Sequence, residues 1–174
     1  MTQMSCIREG RQIRNGSARL SGFSLVELLI VVAIILIIAA IAIPNFLRSK
    51  IAANEAAAIE NTRTITTSNV IYSTTYGIGY ASNLAKMATP PAGPVNASAA
   101  GLLDNILAAG TKSGYVYTYV AGPLSAGGTI EAYTLKADPV VSNITGTRHF
   151  FVDATGVIRF NSAGAAGPTD TAVQ

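Results

Sequence analysis

The chain opens polar and then turns apolar in one long block. From Phe23 to Ile43 every position is apolar except Ser24 and Glu27, a run of 21 residues. Wound as a helix, this run measures roughly 32 Å, about the thickness of a bilayer's hydrocarbon core. The helical pattern outlasts it. Glu55, Ala56, Ala57 and Ala58 are strong helix formers. Ile51, Ala58, Ile65 and Tyr72 recur every seven residues, with Leu47, Thr62, Asn69 and Tyr76 on the same side. This stripe predicts one helix from Phe23 to Tyr76, apolar all round in its first half and amphipathic in its second. Gly77 and Gly79 are expected to end it. Pro44 lies inside it, lacks a backbone donor and crowds the preceding turn, so a kink or local opening is expected there. A helix of about 80 Å exceeds any small globular core, so its first half is expected to protrude into membrane or other subunits.

After the helix the pattern changes twice. Residues 77–98 hold Pro90, Pro91, Pro94 and three glycines and read as loop. Ser98–Ala109 predicts a short helix around Leu102, Leu103, Ile106 and Leu107. From there apolar positions alternate, predicting strands over Tyr115–Val120 and Thr129–Ala137. Two more, Thr147–Val152 and Val157–Phe160, form a hairpin turning at Asp153-Ala154-Thr155-Gly156, where Gly156 suits a positive φ. The predicted fold class is α+β: a long N-terminal helix whose amphipathic half packs on a four-stranded antiparallel sheet. The expected divisions are a leader over 1–22, an apolar helix over 23–50 and a globular head over 51–174. The head divides into amphipathic helix 51–76, loop 77–114, sheet 115–160 and tail 161–174.

Composition and charge sharpen this picture. Apolar residues make up 49% of the 174-residue chain and charged residues only 12%, against about 25% charged in ordinary soluble domains. The net charge of +3 is carried by the leader. Arg8, Arg11, Arg14 and Arg19 stand there against Glu9, while residues 23–174 hold eight basic and eight acidic side chains. A neutral body gives no footprint for nucleic acid. The leader arginines favour a cytoplasmic N-terminus, and Arg48 and Lys50 beyond the run weaken this bias without reversing it. Cys6 is the only cysteine. It precedes the apolar run, where a lipoprotein cysteine would follow one, and has no disulfide or metal partner.

The block Ser21-Gly22-Phe23-Ser24-Leu25-Val26-Glu27-Leu28-Leu29 resembles the prepilin signature of type IV pilins and type II secretion pseudopilins. The likeness is specific over Gly22–Lys50, including Pro44 and the polar exit Asn45-Phe46-Leu47-Arg48. Beyond that it is architectural, although Gly146–Asp153 with Gly156–Arg159 also looks pilin-like. The resemblance implies cleavage between Gly22 and Phe23 by a prepilin peptidase and methyltransferase, N-methylation of Phe23, and use of the apolar helix as filament core. It also implies that Glu27 meets the new amine of a neighbouring subunit. Two features depart from the family. The 22-residue leader is long for a chain with Phe at the mature N-terminus, and a start at Met4 shortens it only slightly. The C-terminal disulfide loop of many pilins is absent, so another contact must pin the tail.

The residues support these roles independently. Glycine before the cut lets a protease approach the backbone closely, because no Cβ intrudes. Glu27 lies in a membrane-length run, where a charge costs about 2.5–3.5 kcal/mol at the bilayer centre and less at its edge. Cleavage places an amine on Phe23, one turn away, and Glu27 is expected to neutralise that amine in its own chain or in a neighbour. The plainer alternative is an interfacial glutamate reaching for headgroups. A secretory signal peptide cut after Ala40-Ile41-Ala42 is disfavoured by the run's length and by Glu27.

Elsewhere chemistry is sparse. His149 lacks an evident partner and reads as a sheet-face histidine. Asp138, Asp153 and Asp170 have no calcium-loop spacing and read as turn residues. Tyr115, Tyr117, Tyr119 and Tyr133 alternate as a packed sheet face. No catalytic site, metal or cofactor is expected.

The reading is a structural subunit of an extracellular type IV pilus, a homo-oligomeric helical filament. Its expected partners are the processing peptidase, the inner-membrane assembly machinery and, before assembly, the membrane itself. The precursor is expected in the inner membrane and the mature chain on the cell surface. A type II secretion pseudopilin, a minor or competence pilin, and a single-pass anchored binding module are the alternatives.

Overall fold

The computed structural model describes residues 22–173. The chain divides into two units, Met1–Ala40 and Ile41–Gln174. Residues 1–21, with Cys6 and the four leader arginines, lie outside the described range. Helix α1 spans Leu25–Tyr76, beginning in the first unit and continuing in the second.

In the first unit α1 is apolar on every face. Its large side chains, from Leu25 to Ile38, are all exposed. A helix apolar all round has no solvent-facing side, which is the pattern of one surrounded by lipid or by other helices. In the second unit α1 passes through Pro44 without a break in its assignment. Here one face is buried: Glu55, Ala58, Asn61, Thr62, Ile65, Ser68, Asn69 and Tyr72. The predicted stripe therefore holds from Ala58 onward, while Leu47 stays exposed and Ile51 is half-buried. The threonine-rich stretch remains helical. Thr62, Thr64, Thr66 and Thr74 each donate a hydroxyl to the carbonyl four residues earlier, which keeps these polar groups satisfied within the helix. Gly77 ends α1 with a φ of 66°, and its N–H reaches the Ser73 carbonyl at 3.0 Å. This left-handed stop costs glycine no Cβ clash.

A 3₁₀ turn, Leu84–Met87, and a one-turn helix α2, Asn105–Ala108, follow. The helix predicted over Ser98–Ala109 shrinks to α2 because the preceding backbone is bonded elsewhere. Ala100 N–H donates to the Lys86 carbonyl, and those of Leu102 and Leu103 to the Met87 carbonyl, each at 2.8 Å. Asp104 then caps α2, accepting from the N–H groups of Ile106 and Leu107.

Six antiparallel strands follow in sequential order: β1 Thr111–Lys112, β2 Tyr115–Ala121, β3 Tyr133–Pro139, β4 His149–Asp153, β5 Arg159–Asn161 and β6 Thr171–Ala172. The four predicted strands are present, and a two-residue strand flanks them on each side. Three boundaries move for local reasons. Thr129–Ala132 leaves the β2 ladder because Ile130 is engaged by the segment after α1, with Tyr80 N–H on its carbonyl at 2.8 Å. Thr147 and Arg148 do not join β4 because Glu55 takes their backbone N–H groups. The last predicted strand shifts to Arg159–Asn161, pairing with both β4 and β6. The expected turn at Asp153–Gly156 is present, closed by Gly156 N–H on the Asp153 carbonyl at 3.0 Å.

The helix and sheet share a core of Ala58, Ile65, Tyr72, Tyr115, Tyr117, Leu135, Phe150 and Val152 with neighbours from the loop. The tyrosine face predicted from alternation is this core. The phenol heads of Tyr115, Tyr117 and Tyr119 find partners at its rim. Tyr115 donates to the Arg148 carbonyl, Tyr119 donates to the Ala81 carbonyl, and Asn61 and Asn69 of α1 donate to the hydroxyls of Tyr117 and Tyr119. Burial pushes the Tyr119 phenol up to about 12, so it remains a neutral donor. Buried tyrosines of this kind combine apolar bulk with a fixed polar contact.

Gly146 backs directly on Tyr115, whose ring occupies the space a Cβ would need. Tyr115 is fully buried and its hydroxyl is committed, so it has nowhere to move. Gly146→Ala is therefore expected to cost about 2 kcal/mol through overpacking. Thermal unfolding of the mature chain in detergent checks this; an unchanged midpoint would show that the ring yields.

Candidate functional site

The segment where cleavage is expected stands at the start of the described residues. Gly22, Phe23 and Ser24 are outside regular structure and exposed. Nothing lies within 4 Å of the place a Gly22 Cβ would occupy, and Phe23 is 73% exposed. Ser24 precedes the first helical residue. Its carbonyl accepts from Leu28 N–H at 3.1 Å, and its own N–H donates to Glu27 Oε2 at 2.9 Å. Glu27 is thus the third residue of the helix and supplies one half of a capping box, a contact absent from the reading of the sequence. It places the carboxylate at the positive end of the helix, one turn from Phe23. Pro44, 17 positions along α1 from Glu27, has no N–H for the Ala40 carbonyl.

The second polar constellation joins α1 to the sheet. Glu55 is 5% exposed. Its Oε1 accepts from Thr147 N–H at 2.8 Å, Thr147 Oγ1 at 2.7 Å and Arg148 N–H at 3.2 Å, while Oε2 accepts from Arg148 Nε at 2.6 Å. Burial pushes the carboxyl's pKa up, but the donors of Thr147 and Arg148 outweigh it and hold the group below its usual value. The Arg148 guanidinium also lies over the rings of Phe150 and Phe160, a cation–π arrangement. In the sequence alone Glu55 reads only as a helix former. The available signal is its place on the buried stripe, four residues after Ile51 and three before Ala58, where an unpaired glutamate is not tolerated.

His149 has a partner after all. Asp138 on β3 lies across from it, Nδ1 to Oδ1 at 2.6 Å. Strand register makes this pair, which sequence separation conceals. The three aspartates do not converge. Asp138 meets His149, Asp153 accepts from Thr155, and Asp170 accepts from Asn161 and Gly167. Among the described residues no group of His, Cys, Asp or Glu is placed to hold a metal ion. Asp170 instead answers how a cysteine-free tail is held. Arg159 donates to its carbonyl, Asn161 to its carboxylate, and Val173 N–H reaches the Ile158 carbonyl.

The family model of the prokaryotic N-terminal methylation motif matches residues 18–43. No curated protein matches the chain, and no solved structure does. The chain thus carries the N-terminal methylation motif of the type IV pilin and pseudopilin class, together with a long N-terminal helix and an antiparallel sheet. Proteins of that class are typically non-enzymatic. The motif implies processing by a prepilin peptidase and pilus-like assembly, and α1 is long and apolar enough to cross a membrane.

Proposed function

We propose that the chain is the structural subunit of an extracellular type IV pilus. It enters the inner membrane as a prepilin with its N-terminus in the cytoplasm. A prepilin peptidase and methyltransferase removes residues 1–22 and methylates Phe23, and the assembly machinery extracts the mature chain into a homo-oligomeric filament at the cell surface. The observation that carries this reading is the apolar stretch of α1, none of which is buried among the described residues of its own chain. Burial of a fully apolar helix among identical neighbours supplies the driving force for assembly. Glu27 supplies the register: in a dry bundle a charge tolerates only a position opposite its counter-charge, here the Phe23 amine of a neighbour. Pro44 lets the helix bend where the membrane-length run meets the head.

Exposure of Gly22–Phe23 in an unstructured segment supports cleavage there, since a protease needs an extended, accessible backbone. Mass spectrometry of the mature protein is expected to find Phe23 at the N-terminus, carrying one methyl group. A start near Ile43 would instead report signal-peptidase cleavage after Ala40-Ile41-Ala42 and remove the anchor. Electron microscopy of sheared surface material, with identification of its subunit, tests the filament itself. Long filaments independent of secretion are the expected result; short fibres that appear only with secretion would assign the chain to the pseudopilins.

A further inference from the structure

The loop between β3 and β4 carries an unusual surface. Val140, Val141 and Ile144 are 51%, 46% and 64% exposed, in a stretch where a loop tip ordinarily presents polar groups. The loop is held firmly. Val140 N–H donates to the Gly114 carbonyl at 2.9 Å, Thr145 N–H to the Val141 carbonyl at 2.9 Å, and Asn143 N–H to the Gly146 carbonyl at 2.8 Å. Its far end is tied to α1: Asn54 Nδ2 donates to the Thr145 carbonyl at 2.8 Å, and Glu55 grips Thr147. The apolar tip is therefore fixed beside the Asn54–Glu55 turn of the helix. One and two turns earlier on that helical face stand Ile51, half-buried, and Leu47, exposed. These five side chains belong to one unit.

We propose that this apolar strip is where a second copy of the chain docks, laying the apolar stretch of its own α1 against the loop. The proposal rests on the filament reading and adds the place where a head meets a neighbouring helix. Each copy carries the matching occupant, a helical stretch that is not buried among the described residues of its own chain. Chemical complementarity favours it. No charged residue lies between Glu27 and Arg48 or within residues 140–146, so docking at the loop tip leaves no desolvated charge unpaired, while Arg48 and Lys50 mark the polar, exposed helix end of the strip. A lipid surface is a poorer occupant of the loop itself, because residues 140–146 hold no lysine or arginine for anionic headgroups; the basic groups of the strip, Arg48 and Lys50, are confined to its helix end.

The mature chain has no cysteine, so introduced thiols report without background. Copies carrying Ile144→Cys are co-expressed with copies carrying Ile34→Cys, Ile38→Cys or Ile41→Cys, and sheared filaments are oxidised. At least one pair is expected to give a disulfide-linked dimer, and Val157→Cys with the same partners none. Filaments that form normally and cross-link at no pair would overturn the assignment. In parallel, the Val141→Glu/Ile144→Glu double variant is expected to lower filament yield about tenfold or more, with its unfolding midpoint in detergent unchanged. Wild-type yield from that variant also overturns the proposal. Loss of membrane retention before assembly would show that lipid covers the strip and the second copy does not. Should the double variant not fold, the cross-links decide. A wild-type chain that builds no filament would remove the filament reading itself, and this docking site with it.

Discussion

Glu27→Gln and Glu27→Ala chains are expected to enter the membrane and lose residues 1–22 normally, yet yield about a hundredth of the wild-type filaments or less. The two substitutions separate the cap seen in the structure from the proposed pairing with a neighbour's amine. Within the single chain, Glu27 Oε2 accepts from Ser24 N–H at 2.9 Å. Glutamine also serves in a capping box, whereas alanine does not, and loss of a cap costs about 1 kcal/mol. Were capping the function, Glu27→Gln would assemble nearly as well as wild type and only Glu27→Ala would suffer. If the charge is what matters, both fail alike, because each leaves a neighbour's Phe23 amine unmatched in an apolar bundle. Breaking such a buried pair costs about 3–5 kcal/mol. Two fractionations suffice, one for mature protein in membranes and one for sheared filaments. Wild-type filament levels from Glu27→Gln would sink the pairing and leave the cap. Reduced cleavage in either variant would move the role of Glu27 to processing.

The second large effect is in the head. Glu55→Ala is expected to destabilise the mature chain by about 3 kcal/mol, because it strips a largely buried partner from Arg148 and from two backbone N–H groups. Thermal unfolding in detergent, followed by the sheet signal, checks this. The same carboxylate predicts an acid dependence. Its folded pKa lies below its ordinary value, so the unfolded chain binds the proton first as pH falls. The stabilisation is complete above the unfolded value of about 4.3 and is lost as pH drops through the lower folded value. Wild type is therefore expected to lose stability below about pH 4 more steeply than Glu55→Gln, which has no proton to take up at this site. Parallel acid titrations of the two would refute the assignment.

The helix was legible because its signals are local and redundant. The apolar run of Phe23–Ile43, interrupted only by Ser24 and Glu27, fixes a membrane-length helix by composition, the seven-residue recurrence of Ala58, Ile65 and Tyr72 fixes the buried face, and Gly77 fixes the stop. The alternation of Tyr115, Tyr117 and Tyr119 likewise gave the inward face of a strand. The processing motif was equally readable, since Gly22, Phe23 and Glu27 stand close together along the chain.

What the sequence by itself determined is whatever depends on neighbours along the chain: the apolar anchor, the amphipathic stripe, the turn residues and the candidate cut site. Tertiary structure alone decided which distant groups meet. Glu55 is drawn from a helix former into a clamp because Thr147 and Arg148, more than 90 positions away, turn their donors toward it. That exchange shortens β4, since a backbone N–H given to a carboxylate is withdrawn from the ladder. Register across β3 and β4 likewise gives His149 its Asp138, and the fold of the tail gives Asp170 the holding role that a disulfide fills in many pilins. Such pairings carry no periodicity. They follow from the demand that every polar group taken out of water find a partner, and only the folded chain specifies which partner is within reach.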